Sequence, residues 1–457
     1  MRIRHRVAVF LTAIVALLAG LAPPAGAGAA AAISPGIDAY LYGYSPVVLA
    51  RTRAVQLCGI GIGVNTLVNS PTLATPASRG VVAPNVDTLY SLAWLDLRRG
   101  PVMLTVPAVA DRYYDFQFLD MYTNVFTDIG VRTVGNAGGR YAIVPPGWAG
   151  ELPAGVAVRT APTWDVWMLG RTLVKSADDL AAARAVQAGY RLAVLAIPAA
   201  NPPPTLPAPN CAALPRPQTP FDAGAAFFDE LAAVLVADPP PAADAPALAG
   251  LAALGVVPGG KPSQGDPQSV AVLQKAVTDG QAYLARTREA AFPAAGRTWR
   301  SSLNAGTYGT DYLLRAGTTA GGLGANVPAE STYYLSQSDL LGRTLSGEHS
   351  YRMHFRPGDL PPTGPTGFWS VTMYDENYFL VPNELNRYAL GDRSPLVVNR
   401  DGSVDIFLST APPARDSRTG NWLPAPAGAF HVYIRVYLPT GAVLTGSWRP
   451  PTITRWF

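Results

Sequence analysis

Two short segments combine carboxylates with tyrosines where a turn meets a predicted strand. The first, PNVDTLYS, spans residues 84–91, and the second, MYDENY, spans residues 373–378. A partly buried carboxylate can act as a general acid or base, and a pair of carboxylates flanking a glycosidic bond is the usual means of its hydrolysis. We therefore take Asp87 and Asp375 as candidate catalytic residues of a hydrolase that acts on a carbohydrate or similar polar polymer.

The same two acids have a structural interpretation. Aspartate and asparagine side chains at turns accept hydrogen bonds from nearby backbone amides and fix the turn. On this interpretation the protein is a non-catalytic binding or envelope protein. The alternatives differ in one respect: Asp87 and Asp375 either line one pocket with exposed rings or are tied separately to backbone groups.

Aromatic and arginine side chains near the acidic segments are candidates for ligand contact. Flat rings stack on sugars, and arginines bind carboxylates and hydroxyl groups. Each ring is also a plausible core residue, and each arginine a plausible partner of a structural acid. The candidate ligand-binding residues are Tyr90, Trp94, Tyr122, Asn124, Arg171, Trp369, Tyr374, Arg387 and Trp422.

Motifs for cofactor, phosphate or metal binding are missing from the sequence. It has no phosphate-binding loop, no dinucleotide fingerprint and no Gly-x-Ser-x-Gly nucleophile motif. Glu348, His349 and His354 are the best metal candidates, but strand alternation from His349 puts His354 on the opposite face. We predict no cofactor and no metal site.

The first 32 residues have the three-part plan of a signal peptide. Arg2, Arg4 and Arg6 precede an apolar run over residues 7–21, and the small residues 25–27 offer a cleavage site. The apolar run is short for a membrane span, although an uncleaved anchor is the alternative. We expect a secreted or cell-envelope protein that is not held in a membrane after cleavage.

Charge and cysteine content limit the partners and the compartment. The chain carries a net charge of +4, and loss of the three leader arginines leaves about +1, which indicates no nucleic-acid binding. Cys58 and Cys211 can form a disulfide in an oxidising compartment, with two free thiols as the alternative. The sequence does not define an oligomeric state.

Periodicity predicts a mainly β fold with a helical connection, α+β overall. Period-two alternation marks strands over 88–97, 102–106, 113–120, 351–355, 368–374 and 431–437, whereas helical spacing marks 37–57 and the region around 222–323. Many short, turn-bounded strands are typical of sandwiches. We predict two antiparallel, jelly-roll-like β-sandwich modules. The predicted parts are a signal peptide (1–32), an N-terminal module (33–200), a Pro/Ala-rich helical connection (201–325) and a C-terminal module (326–457).

Several longer motifs resemble two known families. Residues 84–91, 112–114, 124–126 and 170–172 resemble Domain of Unknown Function 1254. Residues 368–375, 386–388, 401–403, 421–426 and 448–451 resemble Domain of Unknown Function 1214. The resemblance implies two jelly-roll-like β modules with a helical connection in an often exported protein. It implies no particular catalytic residue.

Overall fold

The computed structural model describes residues 34–61, 63–79, 83–197, 199–214, 223–287, 292–414 and 416–456. The predicted signal peptide, residues 1–32, lies outside the described residues.

Helices form the connection and flank both modules. Their bounds are α1 (Pro35–Ile60), α2 (Val131–Val134), α3 (Leu180–Gly189), α4 (Ala226–Ala237), α5 (Ala245–Ala253), α6 (Pro267–Thr287), α7 (Tyr312–Gly322) and α8 (Gly441–Leu444). α1 begins where the side chain of Ser34 accepts a hydrogen bond from the amide of Ile37, the usual role of serine before a helix. Apolar faces of α1, α4, α5, α6 and α7 share one core. Among the described helices, none combines the length and the apolar character needed to cross a membrane.

The strands fall into two successive groups. The first group is β1 (Val68–Asn69), β2 (Thr88–Asp96), β3 (Val102–Val106), β4 (Tyr114–Leu119), β5 (Val125–Gly130), β6 (Gly139–Val144), β7 (Ala157–Thr160), β8 (Asp165–Leu173) and β9 (Arg191–Val194). The second group is β10 (Trp299–Ser301), β11 (Ser331–Ser336), β12 (Tyr351–Phe355), β13 (Thr363–Asp375), β14 (Ala389–Gly391), β15 (Val404–Ser409), β16 (Trp422–Pro424), β17 (Phe430–Pro439) and β18 (Ile453–Arg455).

In the described residues these strands form four sheets, so the mainly β, α+β fold class is confirmed. The first group gives the orders β1-β2-β8-β4-β5 and β7-β6-β3-β9, and the second gives β10-β11-β17-β13-β14 and β16-β15-β12-β18. None of these sheets closes into a barrel. Pairing is antiparallel except between β6 and β7 and between β15 and β16, which are parallel. The jelly-roll arrangement stays a prediction.

The second group of strands repeats the first. Adding nine to each strand number of the first pair of sheets gives the second pair, including the position of the parallel pair. The sequence shows no fixed-period repeat, so this duplication emerges only from the pairing. Residues at the same place in the two groups are called equivalent below.

The large sheet of each group is covered on both faces. β4 is buried at all six positions, its polar ones included. One face packs on the core of its own module through Phe116 and Phe118. Its other side meets the second module, where Tyr113 lies 5.3 Å from the ring of Tyr437. Polar side chains on that face are therefore buried between the modules.

A disulfide ties α1 to the proline-rich segment after β9. Cys58 and Cys211 are bonded, with their Cα atoms 5.5 Å apart and 153 positions between them in sequence. Closure of so long a loop restricts the unfolded chain by roughly 4–5 kcal/mol on the chain-entropy estimate.

Candidate functional site

Two equivalent rows of side chains meet between the modules. Tyr90 on β2 and Arg171 on β8 are direct cross-strand neighbours in the first large sheet. Tyr333 on β11 and Arg435 on β17 hold the same positions in the second. Since both sheets turn these faces toward each other, the two tyrosines and two arginines, here called the Tyr–Arg rows, lie at one interface.

Each arginine reaches the segment that leads into the tyrosine-bearing strand of the other group. Arg171 donates from Nη2 to the carbonyl of Gly324, seven residues before β11, at 2.9 Å. Arg435 donates from Nη2 to the carbonyl of Ala83, just before β2, at 2.7 Å. These equivalent contacts fix the two segments that lead into the tyrosine-bearing strands.

Arg171 is 5% exposed and is surrounded mainly by neutral acceptors. Its Nη1 donates to Gln117 Oε1 and to Asn326 Oδ1, both at 2.9 Å. The carboxylate of Asp115 lies 3.8 Å away, which is beyond hydrogen-bond distance. The Nδ2 group of Asn326 is buried without a hydrogen-bond partner in the described structure, so a spare donor lies beside this guanidinium.

Arg435 is a buried cation without a carboxylate. It is 3% exposed, and its Nη1 donates to Thr372 Oγ1 at 3.2 Å. Within the described ranges no carboxylate forms an ion pair with it. Burial disfavours its charge, but the phenol groups of Tyr374 and Tyr437 outweigh this effect and place the pKa of Arg435 above its ordinary value. Its guanidinium carbon lies 5.5 and 5.2 Å from the ring centroids of Tyr374 and Tyr433, whose faces stabilise the cation in place of a carboxylate. A polar ligand that accepts a hydrogen bond from the guanidinium would add to that stabilisation.

Tyr90 and Tyr333 give this layer its access to solvent. Both side chains are half-buried, whereas their arginine neighbours are buried. The backbone amide of Asn326 donates to the Tyr333 hydroxyl at 3.3 Å. The side-chain Nδ2 of Asn85 donates to the Tyr437 hydroxyl at 3.1 Å. The layer between the modules therefore combines ring faces, hydroxyl groups and guanidinium donors.

Asp87 serves as an inter-module latch. Its Oδ2 accepts from Ser370 Oγ on β13 at 2.7 Å, and its Oδ1 accepts from Arg393. The turn before β2 is fixed instead by Asn85, whose Oδ1 accepts from the amides of Asp87 and Thr88. The equivalent latch in the opposite direction joins Glu330, before β11, to Arg132 at 2.7 Å.

Asp375 lies away from Asp87. Its Oδ1 accepts from the amides of Asn377 and Phe379 at 2.9 and 2.8 Å, so it holds a turn at the end of β13. Alternation along β13 puts Asp375 on the face opposite Ser370, which contacts Asp87. The structure thus does not bring the two candidate acids to one place.

The turn at Asp375 has an equivalent in the first module. Asp120 accepts from the amides of Tyr122 and Asn124, both at 2.9 Å, in the same pattern. The side chain of Asn124 also accepts from the amide of Tyr308 at 3.3 Å. These residues join β4 to the loop that leads into α7, which is a structural role.

Tyr122, Trp94 and Trp369 lie in apolar cores. The hydroxyl of Tyr122 donates to the carbonyl of Asp238 at 2.8 Å. Trp94 stacks on Trp167 with ring centroids 5.4 Å apart. Trp369 belongs to the core of the second module. None of the three presents an open ring face at the Tyr–Arg rows.

Arg387 and Trp422 form a separate contact at the edge of the second module. Arg387 Nη1 donates to the carbonyls of Thr419 and Trp422, at 2.7 and 2.9 Å, and burial lowers its pKa. Trp422 Nε1 donates to the carbonyl of Ser409 at 2.9 Å. Tyr374, by contrast, lies at the inter-module layer, where its hydroxyl donates to the carbonyl of Pro84 at 2.7 Å.

Sequence reasoning missed Tyr333, Asn326 and the two latch arginines. The available signal was a short motif, Gly-x-Arg-Thr at residues 130–133 and Gly-x-Arg-Ser at residues 391–394. In each copy the hydroxyl at the fourth position accepts from the glycine amide, at 3.1 and 3.0 Å. The repeat of this small motif marks equivalent points of the two modules.

Metal-binding clusters are not present in the part of the chain that the structure describes, where no three His, Cys, Asp or Glu side chains converge. His354, a sequence candidate, instead bonds Asp405 through Nδ1 at 2.7 Å.

The duplicated sheets and paired rows define a two-module protein, and family comparisons name the modules. Residues 64–194 match the family "Protein of unknown function (DUF1254)". Residues 330–441 match "Protein of unknown function (DUF1214)". The chain therefore combines a DUF1254 module with a DUF1214 module, and the predicted resemblance is confirmed.

One similar solved structure supports the fold, and a second, more distant one also aligns. The VPA0106 protein from Vibrio parahaemolyticus aligns with a TM-score of 0.70 at 24% identity, over 93% of this chain and 99% of that chain. An uncharacterized protein from Burkholderia cenocepacia aligns with a TM-score of 0.44 at 13% identity, over 92% of each chain. No curated protein matches the sequence.

Proposed function

We propose that this is an exported binding protein that holds a polyhydroxylated ligand, such as an extracellular saccharide, in the crevice between its modules. The observation that carries the proposal is the buried guanidinium of Arg435, which has only neutral acceptors in the described structure. Beside it, the half-buried rings of Tyr90 and Tyr333 supply faces on which sugar rings stack. Sugar hydroxyls can accept from both guanidinium groups and from Asn326.

The positions of Asp87 and Asp375 favour binding over hydrolysis. Two-carboxylate hydrolysis needs the two groups on either side of one bond, whereas Asp375 holds a turn on the far face of β13 and Asp87 is engaged by Ser370 and Arg393. Export is supported by the leader-like N-terminus and by the Cys58–Cys211 disulfide, since such bonds persist in oxidising compartments.

The second candidate is a structural envelope protein without a ligand. It is favoured by the latch contacts, which use the acids and arginines to hold the modules together. On this alternative, removal of the Tyr90 or Tyr333 hydroxyl does not change the affinity of the protein for any saccharide.

A saccharide screen on the exported protein separates the two candidates. The protein is recovered from the extracellular or envelope fraction, where its N-terminus is expected between residues 28 and 33. Equilibrium binding is then measured for the wild type, for Tyr90→Phe combined with Tyr333→Phe, and for Tyr283→Phe as a control on α6. We expect a saccharide that binds the wild type and the control equally and the double variant roughly tenfold more weakly. A full-length cytoplasmic protein contradicts export. Equal affinity of all three proteins, or no binding at all, contradicts the crevice as a binding site.

A further inference from the structure

A cavity of about 340 Å³, separate from the Tyr–Arg rows, lies where the helical connection meets the second module. Its walls come from the region of β10, the start of α7, β11 and the loop after α8. Tyr334 lines it, and alternation along β11 turns Tyr334 to the face opposite Tyr333. The volume lies in the range of small-molecule sites.

One cation and one anion line this cavity without pairing. Arg449 uses Nη1 for the carbonyl of Trp448, at 3.1 Å, and for that of Gly446. Asp311 uses Oδ1 for the amide of Leu314, at 2.9 Å, and so caps α7. Among the described residues neither side chain has an ion-pair partner. Nη2 of Arg449 and Oδ2 of Asp311 have no hydrogen-bond partner among the described residues, and because both side chains are exposed, both atoms can reach a ligand.

A buried hydroxyl also points to a ligand. Ser301 lines the cavity, is 7% exposed, and its Oγ has no hydrogen-bond partner in the described structure. A buried hydroxyl without a partner costs about 1–3 kcal/mol, and a rotation of the Ser301 side chain toward the cavity would let a polar atom of a bound molecule recover that cost. Leu303, Leu313 and Leu314 supply an apolar part of the wall.

We propose that this cavity binds a zwitterion of amino-acid size with an apolar side chain. The guanidinium of Arg449 takes the carboxylate, the carboxylate of Asp311 takes the ammonium group, and the leucines contact the side chain. Arg449 follows Trp448, which is anchored by its ring contact with Tyr334 at 4.9 Å and by donation from Nε1 to the carbonyl of Asp359 at 2.9 Å. The Trp-Arg-Pro-Pro segment, residues 448–451, thereby acquires a ligand-binding role.

Titration calorimetry with L-leucine on the exported full-length protein tests this site. Two probes each lack one charge: 4-methylpentanoate has no ammonium group, and 3-methylbutylamine has no carboxylate. The variants are Arg449→Gln and Asp311→Asn, because asparagine still caps a helix. The control is Arg140→Gln, an exposed arginine of the first module.

We expect L-leucine to bind the wild type and the control equally. Each site variant and each single-charge probe should weaken binding roughly tenfold or more, since each removes one charged hydrogen-bonding partner. The proposal is overturned if L-leucine does not bind, if 4-methylpentanoate binds as tightly as L-leucine, or if the folded variants bind like the wild type. A saccharide at the Tyr–Arg rows does not affect these outcomes, so the two proposals stand or fall separately.

Discussion

At the scale of single residues, the two latches differ in their buried charge. Glu330 and Arg132 are accompanied by the buried acids Asp115 and Asp128, and Arg132 also bonds Asp128 at 2.7 Å. Both carboxylate oxygens of Asp115 lack a hydrogen-bond partner in the described structure. With Arg171 included, three acids face two arginines, so a proton held among the acids balances the charge.

The latch formed by Asp87 and Arg393 has a serine and an alanine at the positions equivalent to Asp115 and Asp128. Strand pairing relates Asp115 to Ser370 and Asp128 to Ala389. Burial and the Glu330 carboxylate raise the pKa of Asp128 to about 7 and raise that of Asp115 well above its ordinary range. The chain itself shows that a latch can be built without these acids.

An acid with a raised folded-state pKa makes stability fall as pH rises. Such an acid binds its proton more tightly in the folded chain, so its contribution is complete below about pH 4 and is lost as pH rises through about 7. We therefore predict that Asp115→Ser combined with Asp128→Ala removes most of the fall in the free energy of unfolding between pH 4 and pH 8. Chemical denaturation from pH 4 to 8 should show a flatter profile for this variant than for the wild type.

Asp178→Asn, a change at an exposed acid, is the control and should keep the wild-type profile. If the free energy of unfolding of the double variant falls with pH as steeply as that of the wild type, the three acids do not share a raised proton affinity.

At the scale of elements, the duplication places a latch at each end of the same interface. Val174 donates from its amide to the carbonyl of Asp87, and Leu438 donates to the carbonyl of Glu330, both at 2.9 Å. The segment that enters β2 is thereby tied to the end of β8, and the segment that enters β11 is tied to the end of β17. The backbone contact and the ion pair act on the same segment, so the side chain of Asp87 should matter to the packing of whole sheets.

Asp87→Asn should lower the free energy of unfolding by about 1–3 kcal/mol, because it removes the buried partner of Arg393 and leaves that arginine with Asp392, at 2.9 Å, as its one carboxylate partner in the described structure. The matched control is Asp279→Asn, which breaks the exposed Lys275–Asp279 pair on α6 and should cost less than about 0.5 kcal/mol. Urea unfolding monitored by tryptophan fluorescence measures both. Equal midpoints for the two variants would mean that the latch contributes nothing to the packing of the modules.

Element positions could be predicted where burial follows a simple period. Alternation gave β3 and β12 at their observed bounds and located the long helices within a few residues. It predicted the edge strand β7 but missed β5, β11 and short edge strands such as β1 and β18, whose sequences lack alternation. β11 reads STYYLS, and its polar residues are buried because β17 and the first module cover it. The local sequence pattern of a strand does not show which other elements will cover it.

At the scale of the whole molecule, the interface between the modules determines which predicted residues come together. Tyr90, Arg171, Tyr374 and Asp87 meet there, whereas Asp375, Trp94, Trp369 and Trp422 are distributed over turns and cores. The sequence could mark polar residues at strand ends, but their meeting depends on pairing between residues far apart in the chain. To predict the equivalent row that carries Tyr333, one must also know the order of the strands in the second large sheet.

The binding function rests on the claim that a ligand contacts both modules at once. Hydrogen–deuterium exchange, measured with and without the saccharide that the screen identifies, tests this claim most directly. We predict slower exchange at residues 83–91 and 324–335 together, since a ligand at the Tyr–Arg rows touches both tyrosine-bearing strands. Protection confined to one of these segments, or found elsewhere on the protein while both exchange as before, would contradict the inter-module site.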